Sequence, residues 1–97
     1  MRTMVRVTIP VEAGNAAIKN GSLPKIISET LEQLKPEGAY FFTGADGSRT
    51  ALMVFDMKEA SDIPMIAEKF FMGFNAAVQF TPVMNADDLK KGLSKIS

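Results

Sequence analysis

Hydrophobic and polar residues alternate strictly at the start of the chain, over residues 3–9. Alternate residues of a strand point to the same face and are said to share a parity. In this segment one parity, Val5, Val7 and Ile9, is β-branched and apolar, and the other, Met4, Arg6 and Thr8, is mixed. A period of two with β-branched residues on one side predicts a strand with one buried face. Pro10 is expected to end the strand, because proline cannot donate to a ladder.

Two later segments carry the three- and four-residue spacing of amphipathic helices. The first spans residues 12–35 and is interrupted at Asn20-Gly21-Ser22, where Ser22 is placed to cap a second helix. Its apolar stripe is Leu23, Ile26, Ile27, Leu31 and Leu34. The second begins near Ser61 and presents Ile63, Ile66, Ala67, Phe70 and Phe74, leaving Met65, Phe71 and Met72 off the stripe as residues for an entrance or an interface.

Three further strands and a short last helix complete the pattern. Residues 39–43 and 49–57 flank an Asp46-Gly47 pair, which is a strong hairpin signal. The centre of the return strand, residues 51–55, is apolar on both parities and is therefore expected to be covered on both sides. Residues 77–83 predict a fourth strand, at an edge because of Pro82. Asn85 is expected to cap the last helix, docked by Leu89, Leu93 and Ile96.

The element order, β-α-β-β-α-β-α, predicts a single α+β domain over residues 1–97. Its first six elements match the ferredoxin-like βαββαβ unit, with one extra C-terminal helix. Helices would cover one face of the sheet and leave the other open. The expected open face carries Met4, Arg6, Thr8, Tyr40, Phe42, Ala51, Met53, Phe55, Gln79 and Thr81. Such a surface is too apolar to leave in water, so we expect two copies to pair sheet to sheet as a homodimer.

The chain resembles the dimeric α/β-barrel superfamily through three segments. These are Val7-Thr8-Ile9-Pro10 before a helix, Leu52-Met53-Val54-Phe55-Asp56, and Phe80-Thr81-Pro82-Val83-Met84. They are similar to those of a group of bacterial proteins within that superfamily, which also includes antibiotic-biosynthesis-type monooxygenases, muconolactone isomerases and stress-induced barrel proteins. The resemblance implies a dimer with a cleft or barrel interior. The monooxygenases typically place His, Asn or Trp near their site, and this chain has neither His nor Trp.

Composition narrows the possible functions. Eleven basic residues balance eleven acidic ones, which argues against nucleic-acid binding and against an electrostatic membrane anchor. The absence of Cys and His removes thiolate chemistry, the usual general base near neutral pH and the commonest transition-metal ligand. We therefore expect no metal and no cofactor. Without a long apolar segment or a leader pattern, the expected location is cytoplasmic.

Arg6 is the most informative residue, because a charge at a central strand position is costly unless it is paired or wet. It is interpreted either as an anion-binding group or as part of a salt bridge, with Asp56 or with the partner subunit. Tyr40, the only tyrosine, is a packing residue or a proton donor. Glu12, Asp56 and Glu59 follow strands and are turn carboxylates or general bases. The candidate ligand-binding residues are Arg6, Tyr40, Phe42, Met53, Phe55 and Gln79.

Three functions stay open on this basis. The first is a homodimer that binds a small, partly apolar and anionic molecule between its sheets or beneath its helices. The second is a cofactor-free monooxygenase or isomerase acting on a small aromatic or lactone-like substrate, with Arg6 stabilising developing negative charge. The third is a purely structural dimerisation module.

Overall fold

The computed structural model describes residues 1–96. Within this range the chain is α+β, with four strands and four helices. In chain order they are β1 (Arg2–Ile9), α1 (Val11–Lys19), α2 (Ser22–Leu34), β2 (Gly38–Thr43), β3 (Arg49–Asp56), α3 (Asp62–Phe74), β4 (Ala77–Pro82) and α4 (Ala86–Leu93). None of the helices in residues 1–96 combines the length and apolarity needed to cross a bilayer.

The strands form one antiparallel sheet in the order β2-β3-β1-β4. This order is compatible with the ferredoxin-like arrangement expected from the element sequence. Strands β1 and β3 are central. Strand β4 lies at an edge, as Pro82 predicted. The missing N–H of Pro82 therefore removes no bond from the sheet interior.

The hydrophobic core lies between one sheet face and the helices. The alternation in β1 is confirmed, since its apolar parity is fully buried and its mixed parity is only partly buried. Helix α3 contributes most of the opposite side, and the Phe70 and Phe74 rings meet at a centroid distance of 6.1 Å. The core residues on these elements are Val5, Val7, Ile9, Ala51, Met53, Phe55, Ile66, Phe70 and Phe74.

The expected facing of β3 is wrong. Ala51, Met53 and Phe55 are buried against the helices, because they pair in register with the core-facing residues of β1. The residues of β3 that lie on the open face are Leu52 and Val54, together with the terminal Thr50 and Asp56. Met53 and Phe55 therefore belong to the core and do not line the open face.

Helix breaks follow the sequence, but their caps differ in part. The chain reverses between α1 and α2 at Gly21, whose φ of 80° favours glycine. Gly21 takes the N-cap position, so Ser22 is the first helical residue and not the cap. Asn85 caps α4 as expected, with a reciprocal capping box to Asp88.

Helix α4 does not dock on its own domain. None of its residues is buried, and Leu89 and Leu93, with Ile96 in the turn that follows, remain exposed. The prediction that these three side chains fix the helix to the core is therefore wrong for the single chain.

Candidate functional site

The sheet face away from helices α1–α3 carries the candidate site. Pairing in register aligns one residue from each strand into a row across its middle: Tyr40, Leu52, Arg6 and Gln79. Directly opposed side chains in antiparallel strands are about 5 Å apart at Cβ. Arg6 is therefore flanked by Leu52 on one side and Gln79 on the other. Phe42 shares this face one row along, opposite Thr50. The sequence placed Arg6, Tyr40, Phe42 and Gln79 correctly on this face.

Arg6 lies on a central strand and is partly buried there. Among residues 1–96 its guanidinium makes no hydrogen bond and no ion pair. The salt bridge to Asp56 considered from the sequence is wrong: Asp56 is four residues beyond Leu52 along β3, about 13 Å away. Asp56 instead pairs with Lys58 and with the Met1 ammonium, at 2.9 Å from the latter. The Arg6 charge is thus available to a ligand or to a second chain.

A cavity of about 230 Å³ lies directly over Arg6. Its other lining residues are Thr8, Thr50 and Gln79 on the sheet and Gly44, Ala45 and Asp46 in the β2–β3 turn. The turn folds close to the sheet at Gly44, where a Cβ would lie 2.7 Å from the Thr50 hydroxyl oxygen. A glycine at this position therefore lets the turn form one wall of the cavity.

Asp46 adds a negative group to the lining, which also contains the positive Arg6. Its Oδ1 accepts a hydrogen bond from the Ser48 backbone N–H at 2.9 Å. This bond lowers the pKa of Asp46, so the carboxylate stays ionised. Sequence reasoning read Asp46 only as a turn residue. Its side chain reaches the site because the turn folds over the sheet, and no local pattern signals that fold.

Tyr40 and Phe42 lie on edge strand β2 and remain more open. Tyr40 is 66% exposed, and its ring leans along the strand over Gly38, where a Cβ would lie 3.4 Å from the ring. It shares the row of Arg6 but is not part of the cavity lining in the described chain. Tyr40 is therefore placed to contact a large ligand or a partner's sheet, and not a small molecule held within this cavity.

The carboxylates considered as general bases do not converge. Glu12 lies in the first turn of α1, Glu59 accepts a hydrogen bond from the Ser61 hydroxyl, and Asp56 is held by its two cations. Within residues 1–96 no group of three or more acidic side chains is arranged to hold a metal ion. The site's charged groups are thus Arg6 and Asp46.

A second cavity, of about 330 Å³, lies on the helix side of the sheet at the β2 edge. It is lined mainly by apolar side chains from α2 and the sheet: Ile9, Leu23, Ile27, Phe41 and Ala51. Arg49 lies at this cavity and donates to the Asn15 side-chain oxygen at 2.9 Å. This is the space beneath the helices that the sequence left open as an alternative ligand site.

No protein-family model matches the chain, and no curated protein is similar to it.

Proposed function

We propose that the chain acts as a homodimer that pairs its open sheet faces and binds a small, partly apolar anion over Arg6. The observation that carries this proposal is the Arg6 guanidinium, which has no partner in residues 1–96 and lies between Leu52 and Gln79 under a cavity. A charge at such a position is maintained at a cost to folding, which a bound anion offsets.

Pairing of the sheets is supported by the apolar residues of the open face. Leu52 and Val54 on β3 and Met4 on β1 are only partly buried by their own chain. Phe42, at the edge, is 41% exposed. A second copy laid against this face would cover all four. It would also close the open side of the cavity, so that the ligand sits between two sheets.

The chemistry of the ligand follows from the lining. A guanidinium presents a planar fork of donors that matches a carboxylate or a phosphate in a bidentate geometry. Thr8, Thr50 and Gln79 add neutral hydrogen-bonding groups, and Ala45 adds an apolar side chain to the lining. Asp46 favours ligands that also carry a donor at the far end. A small hydroxylated or amino-substituted aromatic acid satisfies all three requirements.

Binding of 4-aminobenzoate, followed by amide chemical shifts, tests the ligand-binding part. We expect saturable shifts centred on Arg6, Leu52 and Gln79, loss of them in Arg6→Met, and much smaller shifts with aniline, which lacks the carboxylate. Arg49→Met is the matched control, since Arg49 lies on the other side of the sheet. Shifts that persist in Arg6→Met, or no shifts in the wild type, would overturn the assignment of the anion to Arg6.

Catalysis in the same cavity has weaker support. Tyr40 lies outside the lining, and the lowered pKa of Asp46 makes it a poor general base. A purely structural dimer is the remaining alternative. It would give the same oligomeric state, and no carboxylate-dependent shifts in the binding experiment.

A further inference from the structure

The C-terminal helix presents an apolar stripe that its own chain leaves uncovered. Leu89, Leu93 and Ile96 follow a four- and three-residue spacing, which places them on one side of α4 and the turn after it. Their exposed fractions are 47%, 55% and 80%. A seam of this spacing is the pattern by which one helix packs against another surface.

The base of α4 is held firmly. Asn85 and Asp88 form a capping box, with the Asp88 N–H donating to Asn85 at 2.8 Å. The Asp88 carboxylate also accepts from Arg2 at 3.0 Å, and Arg2 in turn bonds Glu37 at 2.7 Å. These bonds tie the first turn of α4 to β1 and to the residue that precedes β2. The first turn of the helix is therefore attached to the domain, whereas the residues after it have no buried contact.

Helix α4 begins at the border of the open sheet face. Arg2 has the same parity in β1 as Met4 and Arg6, and it pairs in register with Asp56, which shares the parity of Leu52. Because Arg2 binds Asp88, the start of α4 lies at the end of that same face. A chain that covers the open face would therefore lie next to the first turn of α4.

The dimensions of the chain agree with a projecting arm. Its radius of gyration is 15.1 Å, and its extents are 54 × 27 × 18 Å. A compact domain of this length has a radius of gyration of about 12.5 Å. The excess length is expected when a terminal helix extends beyond the domain.

The open face of the sheet is small, and an arm would enlarge the contact that it makes. Four strands of six to eight residues give a face of roughly 19 by 23 Å, or about 440 Å² in projection. A stable interface buries about 800 Å² per partner. The three stripe residues add roughly 200 Å² of exposed apolar surface, judged from their exposed fractions. In a two-fold dimer each protomer supplies its own arm and also covers the arm of the other, so the arms enlarge the interface on both protomers.

We propose that α4 is a dimer arm, whose Leu89–Leu93–Ile96 stripe packs on a second copy of this chain beside the paired sheets. The inference rests on the sheet pairing put forward above as the function of the open face. The two arms are exchanged in an isologous contact, so the assembly closes at two copies and leaves no free stripe.

Sedimentation equilibrium of matched variants tests the arm. Leu89→Gln with Leu93→Gln removes the apolar stripe and keeps residues that favour helix. We expect its dimer dissociation constant to rise at least tenfold. Lys91→Gln with Lys95→Gln, on charged positions of the same segment, is the control and is expected to change the constant less than threefold. Because neither leucine contacts the core, the far-ultraviolet spectrum of the dilute arm variant should match that of the wild type.

A companion variant, Leu52→Gln on the open face, separates this inference from the proposed function. If Leu52→Gln weakens the dimer and the arm variant does not, the arm is wrong and sheet pairing stands. We expect both variants to weaken the dimer. If only the arm variant weakens it, the sheet pairing is wrong, and so is the placement of the arm beside paired sheets. A wild type that stays monomeric refutes both proposals. If that monomer binds vesicles of equal parts phosphatidylcholine and phosphatidylglycerol, and the Leu89→Gln, Leu93→Gln variant does not, the stripe is assigned to a membrane surface instead.

Discussion

Replacing Arg6 by Met should strengthen the dimer while it abolishes anion binding. Methionine keeps an apolar, unbranched stem and removes the guanidinium, with its charge and its hydrogen-bond donors. In a face-to-face dimer the sheets are about 10 Å apart. Arg6 projects from a central strand into that gap, so the two guanidinium groups lie within roughly 10 Å of each other when the two-fold axis passes through the middle of the sheet. At an effective dielectric constant near 20, two like charges about 10 Å apart repel by roughly 1.7 kcal/mol. Removing both charges should therefore lower the dissociation constant about tenfold or more.

Sedimentation equilibrium over a range of salt concentrations measures this effect. The wild-type dimer should tighten as salt screens the Arg6 pair, and the Arg6→Met dimer should respond much less. Arg6→Lys keeps the charge and is the control; its dimer should behave like the wild type. A weaker dimer in Arg6→Met would mean that Arg6 forms an ion pair with a carboxylate of the partner subunit. That result would refute the assignment of Arg6 to ligand binding, because the charge would already be neutralised.

Three predictions concern the folded chain itself. Phe70→Ala should lower the free energy of unfolding by about 3–5 kcal/mol in urea melts, because the ring is fully buried against Phe74. Gly73→Ala should raise it by up to about 1 kcal/mol, since nothing would touch the new methyl group on α3. Gly47→Ala should instead lower the free energy of unfolding by roughly 1–2 kcal/mol, because φ is 80° at Gly47 and a side chain is strained there. Equal effects of the two glycine substitutions would contradict this reasoning from backbone conformation. Hydrogen bonding from Lys58 lowers the pKa of Asp56 to about 2, so its stabilisation is complete above its ordinary pKa of 3.8 and is lost as pH falls through about 2. The difference in urea midpoint between the wild type and Asp56→Asn should shrink across that window, and a constant difference would refute the linkage.

The facing of the first strand could be predicted, and that of the third could not, for one physical reason. In β1 only one parity is apolar, so burial has a single solution. In β3 both parities are apolar at the centre, and the facing is set by the pairing with β1, which joins residues nearly fifty positions apart. The strand ends give conflicting signals, because β3 begins with a charge, Arg49, on the core-facing parity. The parity of Leu52 and Val54 ends in Asp56, a charge that favours the open face, whereas the parity of Phe55 continues into the partly buried Met57.

The last helix shows a different limit of periodicity. The spacing of Leu89 and Leu93 correctly predicts an amphipathic helix, and Asn85 correctly predicts where it begins. A stripe of this kind predicts that another surface covers the helix, but it does not indicate which chain supplies that surface. The site has the same limit: Arg6 could be singled out from β1 alone, while Asp46 reaches it only because the turn folds over the sheet.

Polar and apolar residues lie at different ends of the open face, which suits one end for ligand binding and the other for contact with a second copy. Polar groups gather at the end nearest the β2–β3 turn, where Thr8 and Thr50 oppose each other next to Arg6. Apolar Met4 and Val54 oppose each other at the end where α4 begins. A partner held by the apolar end and by the arm would therefore leave the polar groups free to bind a small ligand between the sheets. A face used for contact alone would gain by having an apolar residue at position 6 as well, and the gain expected in Arg6→Met measures what the chain gives up in dimer stability to keep that charge.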